Sequence, residues 1–90
     1  MEPARKHDVF QAIADPKRRR LLSLLDGREE SVSALSSHFA MSRTAVWKHL
    51  RVLREAGLVK EYNVGRETRY RLDPTPLIEV KDWLSYFERF

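Results

Sequence analysis

Ninety residues allow one small domain, and a 42% hydrophobic share gives that domain a core rather than disorder. The chain has no cysteine, which excludes disulfides, thiolate metal ligands and thiol chemistry by this chain alone. No apolar run nears the ~20 residues that span a bilayer, and the opening MEPARKHD has no apolar signal segment, so a cytosolic protein is the expectation. The net charge of +4 is unevenly spread: residues 42–71 hold eight basic residues against three acidic ones. A localised excess of this kind points to a polyanionic partner, although charge alone fits a solvated face equally well.

In chain order, Val9, Phe10 and Ile13 mark a short first helix over roughly residues 6–14. Asp15-Pro16 reads as an N-cap followed by proline at the first helical position, and Gly27 ends that second helix. Its apolar face is Leu21, Leu22, Leu24 and Leu25. The run Lys17-Arg18-Arg19-Arg20 reads as mainly structural, its long stems covering apolar surface, with auxiliary phosphate contact for one or two of them. Ser31 caps a third helix carrying Val32, Leu35 and Phe39, and Ala40-Met41 breaks it.

Ser42 caps a fourth helix over 42–56, with Val46, Leu50 and Leu53 inward at helical spacing. With Ala56 as C-cap, Gly57 is the left-handed residue beyond it, and Leu58 folds back onto Leu53 in a Schellman ending. VKEYNV and TRYRL, on either side of Gly65-Arg66-Glu67, predict a two-stranded hairpin. Thr68, Tyr70 and Leu72 share one face of its second strand, and Arg69 and Arg71 the other. After Asp73-Pro74-Thr75-Pro76, residues 76–90 predict a last helix with Leu77, Val80, Trp83, Leu84, Phe87 and Phe90 recurring at three and four. The expected fold class is mainly α with a small β-hairpin, in the order four helices, hairpin, helix: a winged helix-turn-helix.

With Val46, Leu50 and Leu53 facing inward, the opposite face of the fourth helix carries Arg43, Thr44, Trp47, Lys48 and Arg51. Arg43 stands in the first turn, where the helix dipole disfavours a cation by about 0.3–1 kcal/mol. A local rule broken in this way marks either function or a surface arginine paired to an acid. A helix N-terminus with an arginine suits phosphate or the acceptor edge of guanine. Trp47 has three readings: against a thymine methyl or sugar edge in a major groove, half-buried on the preceding helix, or in a protein contact.

His49 reads as a packed or phosphate-contacting imidazole, and His7 and His38 as lone surface or packing histidines without metal-ligand spacing. Arg66 at the hairpin tip and Arg69 behind it suit an adjacent minor groove or its phosphates, against the plain reading of a solvated loop. Trp83, Tyr86, Phe87 and Phe90 exceed what one small monomer buries, so the last helix is expected to meet its twin rather than merely close the core. Two-fold symmetry would then set two recognition helices about 34–36 Å apart over an imperfect inverted repeat. No nucleophile–base pairing, glycine-rich phosphate loop or metal constellation suggests an enzyme.

The segments ADPKRRRLLSLL, SVSALSSHFAMSRTAVWKHLRVLREAGLV and GRETRYRL resemble the ArsR-type winged helix-turn-helix repressors over about residues 8–87. The resemblance implies a homodimer whose first and last helices pair, bringing Val9, Phe10 and Ile13 to the interface with Leu77, Val80, Trp83, Leu84, Phe87 and Phe90, and a cytoplasmic, nucleoid-associated location is expected. It implies DNA contacts from Ser42, Arg43, Thr44, Trp47 and Lys48, with Arg66 and Arg69 on the wing. The family usually has a small polar residue at the position of Trp47, so an operator sequence does not transfer. Metal-sensing members use thiolates on the third helix or carboxylates with histidines on the last one. Here SVSALSSHF has no cysteine, and EVKDWLSYFERF has Glu79, Asp82 and Glu88 but no histidine, so the chain resembles the branch that binds no metal and needs no cofactor. An architectural DNA binder without an operator and a winged-helix protein-interaction module are the competing functions.

Overall fold

The computed structural model describes residues 8–88. Lys6 and His7, at the start of the expected first helix, and Phe90, at the end of the expected last one, lie outside the described residues. The elements follow the order α1 (Val9–Ala12), α2 (Pro16–Leu24), β1 (Glu29–Ser31), α3 (Val32–Ser37), α4 (Arg43–Glu55), β2 (Val59–Val64), β3 (Glu67–Leu72) and α5 (Leu77–Ser85).

α1 is shorter than the apolar spacing predicts, because both ends are claimed by side chains. Asp8 accepts from the Gln11 N–H at 2.7 Å, and the Gln11 amide oxygen accepts from the Asp8 N–H at 3.3 Å, a capping box that starts the helix at Val9. Past Ala12 the chain must turn so that Asp15 can cap α2, where its carboxylate accepts from the Lys17 N–H at 2.7 Å.

The expected caps of α3 and α4 form: Ser31 and Ser42 accept from Ala34 and Ala45 N–H groups, each at 3.1 Å. Phe39 falls outside α3, which ends at Ser37 with His38 as its C-cap, and packs half-buried against the core from the turn. α4 ends in the expected Schellman motif. Gly57 has φ 79°, its N–H donates to Arg54 at 2.9 Å, and the Leu58 N–H donates to Leu53 at 2.9 Å. α5 stops at Ser85 rather than running on, and the chain tightens into i→i+3 bonds from Phe87 to Leu84 and from Glu88 to Ser85.

The sheet has three strands, not two, in the order β1-β3-β2, with both pairings antiparallel. Glu29, Glu30 and Ser31 pair with Arg71, Tyr70 and Arg69. Nothing in the polar triplet EES signals a strand; it is held by the free edge of β3, which supplies the ladder hydrogen bonds. The hairpin register joins Val59 to Leu72 and Val64 to Glu67 across Gly65-Arg66, with Gly65 at φ 62°.

The core joins all the helical layers to the sheet. Leu21, Leu25, Leu35, Val46, Leu50, Leu53 and Leu58 are fully buried, with Tyr70 closing it from β3. Burying side chains of this size contributes about 1.5–3 kcal/mol each before conformational entropy is subtracted. Val46, Leu50 and Leu53 fix the roll of α4 about its axis, and that roll decides which of its residues meet solvent.

Candidate nucleic-acid interface

On α4, Arg43, Thr44, Trp47, Lys48 and Arg51 are exposed together with the cap Ser42, as the inward triad demands. Trp47 is outside the core cluster and 44% exposed. One face of its ring is covered by Arg51, whose guanidinium carbon stands 5.6 Å from the ring centroid. Arg51 is itself held by Glu55, Nε to Oε1, at 3.2 Å. Among the described residues Arg43 and Lys48 have no ion-pair partner, so no acid there accounts for the cation in the first turn. An unpaired cation in the first turn lacks a local stabiliser, which leaves its charge available to an external anion.

His49 stands apart from this face. It is half-buried towards the start of α2, with Nδ1 3.4 Å from Nη1 of Arg18. Burial holds the imidazole below its ordinary pKa; the Asp15 carboxylate raises it in part, and Arg18 and Lys17 push it down again. Burial raises the Asp15 carboxyl, but the backbone N–H groups of Lys17 and Arg18, with the nearby His49 and Arg18 charges, outweigh it and leave the pKa lowered.

On the wing, Arg66 occupies the exposed tip and has no ion-pair partner among the described residues. Arg69 is differently placed. Its Nε and Nη2 donate to one carboxylate oxygen of Glu67 at 3.2 and 2.9 Å, and Nη1 lies 3.8 Å from Glu29. The hydrogen bonds that Arg69 donates to the Glu67 carboxylate head the causes that raise its pKa. On the same outer face Arg71 stacks over Tyr62 at 5.1 Å.

Helix and wing are joined by a link that the sequence did not disclose. Glu61 on β2 is paired with Arg54 of α4 and accepts from the Tyr70 hydroxyl at 3.3 Å. Burial, reinforced by Glu61, pushes the Tyr70 phenol up to about 12. Glu61 and Tyr70 are opposite each other in the hairpin ladder, whereas Arg54 and Glu61 lie on different elements, so no helical or strand period pairs α4 with the wing.

The two terminal elements form a second exposed face. Trp83 meets Phe10 edge-on at 5.7 Å and Phe87 at 5.2 Å. Trp83, Leu84 and Phe87 are about half exposed, Tyr86 more so, and no residue of α5 is buried. Val9, expected at this face, is 2% exposed in the core, and Ile13, Leu77 and Val80 pack partly buried against that core. Ile78, which the apolar periodicity left out, is exposed.

A turn-linked helix pair followed by a hairpin, with one helix offering unpaired cations, is a DNA-reading architecture. The family profile described as bacterial regulatory protein, ArsR family, matches residues 15–61, from the cap of α2 into β2. The chain belongs to the ArsR family. The transcriptional repressor SdpR of Bacillus subtilis (strain 168) is 32% identical over 81 residues, which span 90% of this chain and 90% of that protein. An ArsR-like transcriptional regulator from Rhodococcus sp. RHA1 superposes with a TM-score of 0.80 at 37% identity, covering 88% of this chain and 72% of its own. A possible transcriptional regulator for arsenical resistance superposes with a TM-score of 0.77 at 46% identity, covering 84% of this chain and 79% of its own. This ArsR-family chain is therefore a transcriptional regulator with a DNA-binding winged helix-turn-helix, not an enzyme. Among the described residues, no helix is long and apolar enough to cross a membrane.

Proposed function

We propose that this ArsR-family regulator is a homodimeric repressor that occupies an imperfect inverted-repeat operator in the cytoplasm. The reading is supported by the exposed face of α4, where Arg43 and Lys48, without an ion-pair partner among the described residues, accompany the half-exposed Trp47. α4 lies in the major groove, with Ser42 and Thr44 on the phosphates, Arg43 on a guanine edge and Trp47 on a thymine methyl. Arg66 reaches the adjacent minor groove or its phosphates. Arg69, already neutralised by Glu67 and Glu29, serves mainly to hold the wing.

The whole chain acts as one domain, with α1 and α5 forming the dimer interface around Phe10, Trp83, Leu84 and Phe87. Repression, rather than activation, is supported by the likeness to SdpR over nearly the full length of both chains. No tight metal site is proposed, because the chain supplies no cysteine and the described residues contain no cluster of three His, Asp or Glu able to hold an ion. Calorimetry showing stoichiometric, sub-micromolar zinc binding would overturn that part.

Selection of bound duplexes from a random pool tests the main reading. An enriched inverted repeat, bound about a hundredfold more tightly than scrambled DNA at fixed salt, is the expected result. Uniform, salt-sensitive binding to every duplex would instead make the protein an architectural binder, and no binding would leave a protein-interaction module.

A further inference from the structure

The fold divides the run Lys17-Arg18-Arg19-Arg20 into two pairs. Arg18 donates from Nε to the Ala12 carbonyl at 2.7 Å and from Nη2 to that of Gln11 at 3.1 Å. Arg19 donates to the Ile13 carbonyl at 2.6 Å. These two arginines close the C-terminal end of α1, whose last carbonyls have no partner within the helix. Lys17 and Arg20, three apart and so on one face of α2, take no part in that closure. Both line a groove between α2 and the α3–α4 turn, whose other walls include His38, Phe39 and Met41. The Arg20 guanidinium stands over the Phe39 ring, 5.2 Å from its centroid. Among the described residues neither Lys17 nor Arg20 has an ion-pair partner, and the groove lining contains no acid. Asp15, the nearest acid in sequence, is engaged by the Lys17 backbone N–H and by Arg18.

We propose that this groove is a second DNA contact, in which Lys17, Arg20 and His38 hold backbone phosphates of the strand bordering the major groove that α4 enters. The proposal rests on the reading of α4 given above and extends its footprint to α2. The groove ends at Met41, next to the cap of α4. A helix with its side chains is about 10–12 Å across, and the major groove of B-DNA is about 12 Å wide. A helix seated there fills the groove, so the chain just before its N-terminus has to pass the phosphates at the edge. The stack on Phe39 holds Arg20 in one orientation with its donor edge open, which lowers the entropy lost on gripping a phosphate. Contacts of this kind set register and affinity and carry no sequence information.

The test is the double variant Lys17→Gln/Arg20→Gln, titrated with the selected operator and with scrambled duplex across a salt series. Two lost phosphate contacts predict that the slope of log K against log salt shallows by about 2 per protomer. Affinity for both duplexes should fall by a similar factor, so that the operator preference is kept. Arg28→Gln, at a different groove beside β1, should leave the slope unchanged. Ethylation interference should show phosphates beyond the α4 contacts that matter for the wild type and not for the double variant.

An unchanged slope in the folded double variant overturns the proposal and leaves operator reading by α4 intact. A collapse of operator preference overturns it as well, because the groove would then read bases. Wild-type protein without preference for any sequence would strike the reading of α4 itself. Circular dichroism melts establish folding, and Arg20→Lys, which retains the charge, should restore most of the slope if the contact is to phosphate.

Discussion

The two tryptophans are almost equally exposed, Trp47 at 44% and Trp83 at 52%, and they stand in opposite company. Trp47 shares the exposed face of α4 with Arg43, Lys48 and Arg51, and the Arg51 guanidinium stands over its ring. Trp83 is surrounded by Phe10, Leu84 and Phe87, and its ring contacts are aromatic edges. Exposure alone does not say what covers a tryptophan. The neighbouring side chains do: cations direct one ring towards a polyanion, and apolar groups direct the other towards a surface of its own kind. Each tryptophan can be changed without touching the other.

The largest effect is expected at Trp83. Trp83→Glu puts a charge into the proposed interface, and the dimer dissociation constant should rise at least about a hundredfold, roughly 2.7 kcal/mol. Sedimentation equilibrium reads this directly, and a variant that remains dimeric would show that the Trp83 face is not the interface.

Arg43→Ala comes next. It should weaken operator binding by about 1–3 kcal/mol while affecting scrambled DNA less. Equal binding by the variant and the wild type would remove α4 as the reading helix.

Trp47→Ala sharpens the contrast. Dimerisation should be unchanged and the fold should lose under about 1 kcal/mol, since Trp47 lies outside the core cluster. Operator affinity should nevertheless drop about tenfold if the ring covers a thymine methyl, and the loss should shrink when that thymine is replaced by uracil. A Trp47→Ala protein with weakened dimerisation would mean that both rings face protein.

The smallest effect concerns His49, which lies behind the α4 face. Burial holds its folded pKa below the ordinary imidazole value, so the unfolded chain takes up the proton first. The contribution of the neutral ring to stability is complete above that value and is lost as pH falls through the lower folded pKa. The thermal midpoint of free protein should therefore fall less in His49→Gln than in wild type between about pH 7.5 and 5.5. Parallel curves for the two proteins would show that His49 is not desolvated against α2.

Local signals carried the helix starts and the outward face of α4. Asp15-Pro16, Ser31 and Ser42 each pair a cap with a following helix, and Gly57-Leu58 spells a helix end, because capping involves atoms only a few residues apart. Val46, Leu50 and Leu53 placed Arg43, Trp47 and Arg51 outside by helical period alone. The Glu29–Ser31 strand was illegible, since its partner is about 40 residues away and supplies the hydrogen bonds that its own composition does not invite. Val9 was misplaced for a related reason. Its spacing marks an apolar face but not whether that face meets the protein's own core or a second chain.

The fold class, the excess of cations in the middle third of the chain and the outward set on α4 follow from charge, capping and periodicity, which are properties of neighbours in the chain. How those cations are spent depends on the packed fold. Arg18 and Arg19 are consumed by the carbonyls of α1, and Arg69 is consumed by Glu67 and Glu29. Arg43, Lys48, Arg66, Lys17 and Arg20 are left without an acid among the described residues. An ion pair or a carbonyl contact depends on where the chain returns in space, and that is settled by packing the apolar faces together.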